Sequence, residues 1–188
     1  MTKGQRISLS KSDGAALTRV KMGLGWDAIE KTGFLGRKKT ADVDLDASCV
    51  LLDANRNLVD AVWFRQLKSK DGSIVHTGDN LTGAGDGDDE AIVVDLPSVP
   101  AHVTTLAFTV TCYSSQGFSE ISNAFCRVVD ESSGSEVARY NLSAQGPHTA
   151  MLIARVYRHS GEWKMAALGE TGNGKTYQDM IPLITANV

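Results

Sequence analysis

The sequence predicts an all-β fold, a β-sandwich of two mainly antiparallel sheets with acidic loops at one end and a short C-terminal helix. Three observations carry this. Short runs rich in Val, Ile, Leu and Thr recur along the chain, separated by turns bearing Gly, Asp and Ser. Several runs alternate apolar and polar residues with period two. The best helical candidate is the tail at 177–184, where Pro182 is expected to cut the helix short. With 188 residues, 42% of them hydrophobic, the chain can bury the core of one domain, taken as 1–188.

Residues 7–9 and 17–24 read as short strands on either side of a Ser12-Asp13-Gly14 turn. Trp26, beside Gly23 and Gly25, is a large apolar anchor, and Asp27 follows it. Residues 30–40 carry two glycines and four basic side chains and read as an exposed loop. In 41–53, ADVDLDASCVLLD, one strand face takes Val43, Leu45, Ala47, Cys49 and Leu51. The other takes Asp42, Asp44, Asp46 and Ser48. Same-face neighbours on a strand lie about 7 Å apart, so one cation can bridge two of these carboxylates. A half-buried strand with a polar outer face is the plainer alternative, weakened by the depletion of Asp in strands.

Residues 57–64 and 74–76 read as strands around an Asp71-Gly72 turn, a hairpin signal. Residues 91–96 form a strand stopped by Pro97 and Pro100, and 106–113 form another. The pair 122–130 and 136–142 flanks the hairpin loop Glu131-Ser132-Ser133-Gly134. The pair 150–157 and 162–168 flanks His159-Ser160-Gly161.

The stretch 76–90, HTGDNLTGAGDGDDE, stands apart. It holds five acidic side chains (Asp79, Asp86, Asp88, Asp89, Glu90) and four glycines, with no Lys or Arg. Glycine permits the tight curvature that would gather the carboxylates. Two carboxylates ~4 Å apart repel by roughly 4 kcal/mol at an effective dielectric near 20. Either the loop splays in water or a hard cation draws it together, and Ca²⁺ takes about six to eight oxygens in a flexible shell. An EF-hand is excluded. A loop starting at Asp42 has Ala47 where glycine is needed, and one starting at Asp79 has Leu81 and Gly83 at ligand positions.

Charge and composition exclude other classes. A net charge of −3 and a sequence pI near 5.8 argue against nucleic acid as a partner. No apolar run reaches the ~18 residues that suit a membrane span. The first residues lack the apolar centre of a signal peptide, so a cytoplasmic location is expected. Cys49, Cys112 and Cys126 are odd in number and widely spaced, and read as reduced thiols. His76, His102, His148 and His159 show no ligand spacing, and His76 reads as a surface residue at a strand end. No catalytic constellation is present. Residues 169–176, GETGNGKT, satisfy the phosphate-loop pattern. Only twelve residues follow Thr176, Pro182 among them, so the stretch reads instead as a Gly-rich connection to the C-terminal helix.

The pieces GLGWD (23–27), DLDAS (44–48), DGS (71–73), HTGDNLTG (76–83), GDGDDE (85–90), SNAF (122–125), ARYNL (138–142) and YRHSGEWK (157–164) follow one another in a familiar order. In these the chain resembles the TerD family of tellurite-resistance and stress-response proteins, over nearly its whole length. The resemblance implies a β-sandwich that binds Ca²⁺ through Asp44, Asp46, Asp79, Asn80, Asp88, Asp89 and Glu90, with Asp27 joining them. It also implies a scaffold or sensor rather than a catalyst, and partners among other stress-response proteins at the inner membrane surface. A calcium-dependent membrane-surface module, helped by Arg37, Lys38 and Lys39, and a nucleotide-binding module are the alternatives. The chain departs from the family's pattern in the basic stretch 30–40, the short stretch 113–119 and Met165-Ala166 after GEWK.

Overall fold

Alternation of period two sorts the strands into two layers. The structure, a computed structural model, describes residues 2–11, 13–27, 29–32, 38–41, 43–81, 87–142 and 146–188, the side chains of 29–32, 38–41 and 122 excepted. One sheet has six strands: β1 (Arg6–Ser8), β5 (Leu45–Leu52), β6 (Leu58–Val62), β9 (Thr105–Cys112), β12 (Ala150–His159) and β13 (Glu162–Gly172). Their order is β1-β13-β12-β9-β5-β6. The other has five: β2 (Arg19–Asp27), β7 (Ile74–His76), β8 (Glu90–Asp95), β10 (Ser122–Asp130) and β11 (Ser135–Asn141). They run β11-β10-β2-β8-β7. Every pairing in both sheets is antiparallel.

The main core lies between the sheets. Leu45, Ala47, Cys49 and Leu51 of β5 face Met22 and Leu24 of β2 and Ile92 and Val94 of β8. The face predicted for 43–51 is therefore the buried one. The opposite face of β5 is buried too, because α1 (Tyr177–Asn187) lies over it. Val50, Leu52, Ala107 and Leu152 meet Met180 and Ile184 there.

Three expectations are corrected. Residues 57–64 and 74–76 do not form a hairpin, since β6 and β7 belong to different sheets. The Asp71-Gly72 turn instead closes a small ladder with the bridge Lys68↔Val75, after the chain has crossed between layers. The basic stretch 30–40 is not wholly a loop. Its ends form a two-stranded ribbon, β3 (Ile29–Thr32) with β4 (Lys38–Ala41), which no apolar alternation had marked. Pro182 does not cut the helix short, and α1 runs through it to Asn187. Proline removes one backbone bond, and burial of Tyr177, Met180 and Ile184 outweighs that loss.

Replacing the fully buried Ile184 by Ala is expected to cost about 2–5 kcal/mol, from lost burial and the cavity left under α1. Urea unfolding of the parent and the variant measures it.

Candidate metal centre

The site forms where the N-terminal end of β5 meets the segment that leads into β8. At this end β5 has β9 on one side and nothing of β6 on the other, because β5–β6 pairing begins only at Cys49. The N–H of Ala47 is thus left at an open edge, and Glu90 supplies its acceptor. Glu90 Oε2 takes that N–H at 2.9 Å, and Oε1 takes the N–H of Asn80 at 3.1 Å. Glu90 continues the inward row of Ile92 and Val94 and is only 1% exposed. A carboxylate therefore stitches one sheet to the other.

Three further contacts hold the acidic segment. Trp26 donates its indole N–H to Val43 O at 2.8 Å, which pins β2 to the lead-in of β5. The Trp26 backbone N–H goes to Asp89 Oδ2 at 2.9 Å. Asn80 Nδ2 reaches Asp89 Oδ1 at 3.1 Å. Gly25 is required by close approach, since a Cβ there would meet Gly87 O at 2.4 Å and the Phe125 ring at 2.5 Å.

On this frame Asp44, Asp46 and Asp79 converge. One carboxylate oxygen from each lies within 4.8 Å of the other two. Asp46 is buried, Asp44 half-buried and Asp79 exposed. Asp44 Oδ1 and Asp46 Oδ2 are buried and have no hydrogen-bond partner among the described residues. Burial, then Asp79 and Glu90, raises the Asp44 carboxyl from 3.8 to about 6. Burial, then Asp44, Glu90 and Asp79, raises Asp46 from 3.8 to about 8. Charged oxygens without donors are costly to bury. An all-oxygen donor set opening to solvent at Asp79 is the chemistry that a hard divalent cation satisfies.

The other candidates are placed differently. Asn80, Asp89 and Glu90 brace the cluster through the bonds above. Asp27 is exposed and takes Asn123 Nδ2 at 2.6 Å. Asp88 turns away from the three aspartates: it packs on Gly23 and pairs with Arg127 Nε at 2.6 Å and Lys21 Nζ at 3.0 Å. Burial opposes its charge, but the two cations outweigh burial and hold its pKa below the usual value. The expected ligand role for Asp88 thus meets a carboxylate already neutralised by two partners. Asp42 and Asp86, part of the acidic pattern, lie outside the described residues.

His76 is not a surface residue. It is 3% exposed, with Nε2 3.4 Å from Glu90 Oε2. Its Nδ1 accepts the N–H of Gly78 at 3.1 Å. The signal was available, because period two from the buried Ile74 puts His76 on the inner face.

The geometry of 169–176 also follows. Gly169 to Gly172 end β13, and Asp179 Oδ2 accepts the N–H groups of Lys175 and Thr176. Two of the donors that would cradle phosphate are thus occupied by the helix's own cap, and a third, the Gly174 N–H, goes to Thr149 Oγ1.

A family model described as the TerD domain matches residues 1–181. The chain belongs to the TerD family. It is 48% identical over 182 residues to tellurium resistance protein TerZ of Serratia marcescens, covering 96% of this chain and 93% of that one. It is 43% identical to tellurium resistance protein TerD of the same organism, over 90% and 88% of the two chains. With general stress protein 16U of Bacillus subtilis it shares 41%, over 93% and 91%. The crystal structure of a telluride resistance protein (TerD) homologue from Streptomyces coelicolor superposes with a TM-score of 0.74 at 20% identity. That match covers 88% of this chain and 96% of the other, and shows that the TerD sandwich is shared.

The raised carboxyls set a pH dependence. Between the unfolded value of 3.8 and the folded values of about 6 and about 8, the folded chain keeps protons that the unfolded chain has released. With chelator present, their contribution to stability is full below 3.8 and is lost as pH rises through about 6 and then about 8. Denaturation midpoints measured across this range should therefore fall with pH, and fall less in Asp46→Asn.

Proposed function

We propose that this TerD-family chain is a calcium-binding stress protein that acts as a scaffold or sensor rather than as a catalyst. The observation that carries the reading is the pair of buried, partnerless oxygens, Asp44 Oδ1 and Asp46 Oδ2, beside the exposed carboxylate of Asp79. Asp44, Asp46 and Asp79 would hold Ca²⁺, and Glu90, Asn80, Asp89 and His76 would keep those ligands in place. When bound, the ion supplies positive charge that offsets the repulsion among the three aspartates. It thereby fixes the 77–81 segment against the end of β5, and a surface fixed in this way can be read by another protein.

The setting comes from the relatives. Their names speak of tellurium resistance and general stress. A role in such a response, with other stress proteins as partners at the inner face of the membrane and a cytoplasmic location, is the corresponding reading here. No described helix is long and apolar enough to cross a membrane.

Isothermal titration with Ca²⁺ tests the site. Asp46→Ala and Asp79→Ala should each weaken binding at least tenfold, while Asp13→Ala and Asp88→Asn leave it within about twofold. Equal losses in all four variants would refute the assignment. Because Ca²⁺ competes with protons on Asp44 and Asp46, affinity should drop as pH falls from above about 8 to below about 6. Ca²⁺ at about 100 times its Kd should stabilise the fold by about 2.7 kcal/mol, read as a higher Tm than in chelator.

A further inference from the structure

Helix α1 covers only part of the outer face of the six-stranded sheet. Beyond it, over β12, β13 and β1, that face is open and forms a basin of about 420 Å³. Arg6, Ser8, Arg155, Tyr157, His159 and Lys164 line it, with Ile7 beneath. The basin is basic on a chain whose net charge is −3. No carboxylate lines it. Glu162, opposite His159 in register, sits by that rim, so Arg6, Arg155 and Lys164 carry the basin's permanent charge.

Several cations elsewhere in the chain are paired. Lys21 and Arg127 meet Asp88, Lys3 meets Glu170, Lys70 meets Asp60, and Arg139 meets Glu136. Among the described residues, none of the three basin cations has an ion-pair partner or a hydrogen bond from its charged group. Arg155 lies over the Tyr157 ring at 4.8 Å, and its Nε is buried without an acceptor. A buried guanidinium N–H is costly to leave unmet.

The register explains the shape. Arg6 and Arg155 both lie opposite Ala166, one on each neighbouring strand. Ala166 is small, so the two guanidinium arms stand over a low floor, their strands about 10 Å apart. Ser8 and Tyr157 flank Lys164 in the same way one step along. Two guanidinium forks and an ammonium around a low floor match the oxygens of a phosphorylated ligand, which arginine binds in bidentate fashion. The volume suits a small molecule.

We infer that the basin bounded by Arg6, Arg155 and Lys164 is a binding site for a small phosphorylated ligand carrying two linked phosphoryl groups. It shares no side chain with the three-aspartate cluster and stands independently of metal binding there. The ligand is either inorganic pyrophosphate or a nucleoside diphosphate whose organic part rests along Tyr157.

The test titrates the full chain, in buffer free of divalent cations, with pyrophosphate and separately with ADP. Sodium chloride at matched ionic strength is the control. Saturable binding is expected, weakened at least tenfold by Arg155→Gln and by Lys164→Gln and lost in Arg6→Gln/Lys164→Gln. Tighter binding of ADP than of pyrophosphate identifies the nucleotide as the source, and equal binding identifies the inorganic ion. The Arg6 and Lys164 changes keep the test valid if Arg155→Gln fails to fold, with the melting curve as the check. Absence of saturable binding to the parent chain overturns the inference, as does binding that the folded variants retain unchanged. In the second case the anion sits elsewhere.

Discussion

Crowding of negative oxygens at the seam between the sheets is the constraint on which the rest of this site depends. Asp46 projects from a strand whose backbone is locked to β9, and Asp44, just ahead of it, is tied through its carbonyl to the Tyr113 N–H, so they cannot splay apart. Asp79 is held near them because Asn80, its neighbour, is bonded through its backbone to Glu90 and through its side chain to Asp89. Glu90 in turn is tied to the Ala47 N–H. Relief by motion is therefore limited, and what remains is proton uptake or a cation. The raised pKa values of Asp44 and Asp46 express the first, and the proposed Ca²⁺ expresses the second.

The three consecutive acidic residues 88–90 show how finely the fold divides labour. Asp88 goes outward to Arg127 and Lys21, Asp89 braces the Trp26 backbone, and Glu90 reaches between the sheets. In sequence they are one acidic run. Strand alternation alone would put Asp88 and Glu90 on one side; they diverge because Asp88 lies ahead of β8, which begins at Glu90, and meets Arg127 and Lys21 on the outer side. Tertiary partners, not charge, separate a brace from a neutralised ion pair.

The outer face of the six-stranded sheet shows a similar division. Beside the apolar patch under α1, Ser48, Thr109 and Thr111 are buried next to Asp46, and the threonine hydroxyls have no partner among the described residues. On the far side of α1 the same face turns basic. One sheet face thus carries an acidic end, an apolar saddle and a cationic basin. The names of its relatives speak of resistance and stress.

The sequence alone determined the class of fold, most strand positions and the region of the site. Period-two alternation and turn residues report local geometry directly, and an acidic, Gly-rich stretch of fifteen residues stands out in any chain of modest charge. The family resemblance implied eight ligands, Asp27, Asp44, Asp46, Asp79, Asn80, Asp88, Asp89 and Glu90, and the fold brings the carboxylates of three of them, Asp44, Asp46 and Asp79, within 4.8 Å of one another. Tertiary structure decided the rest. Which sheet β7 joins, that α1 passes through Pro182, that His76 is buried and that Asp88 is neutralised all depend on residues distant in the chain. Composition and spacing describe what a side chain is; burial and pairing depend on what the fold places beside it, and those neighbours can come from strands more than a hundred residues away.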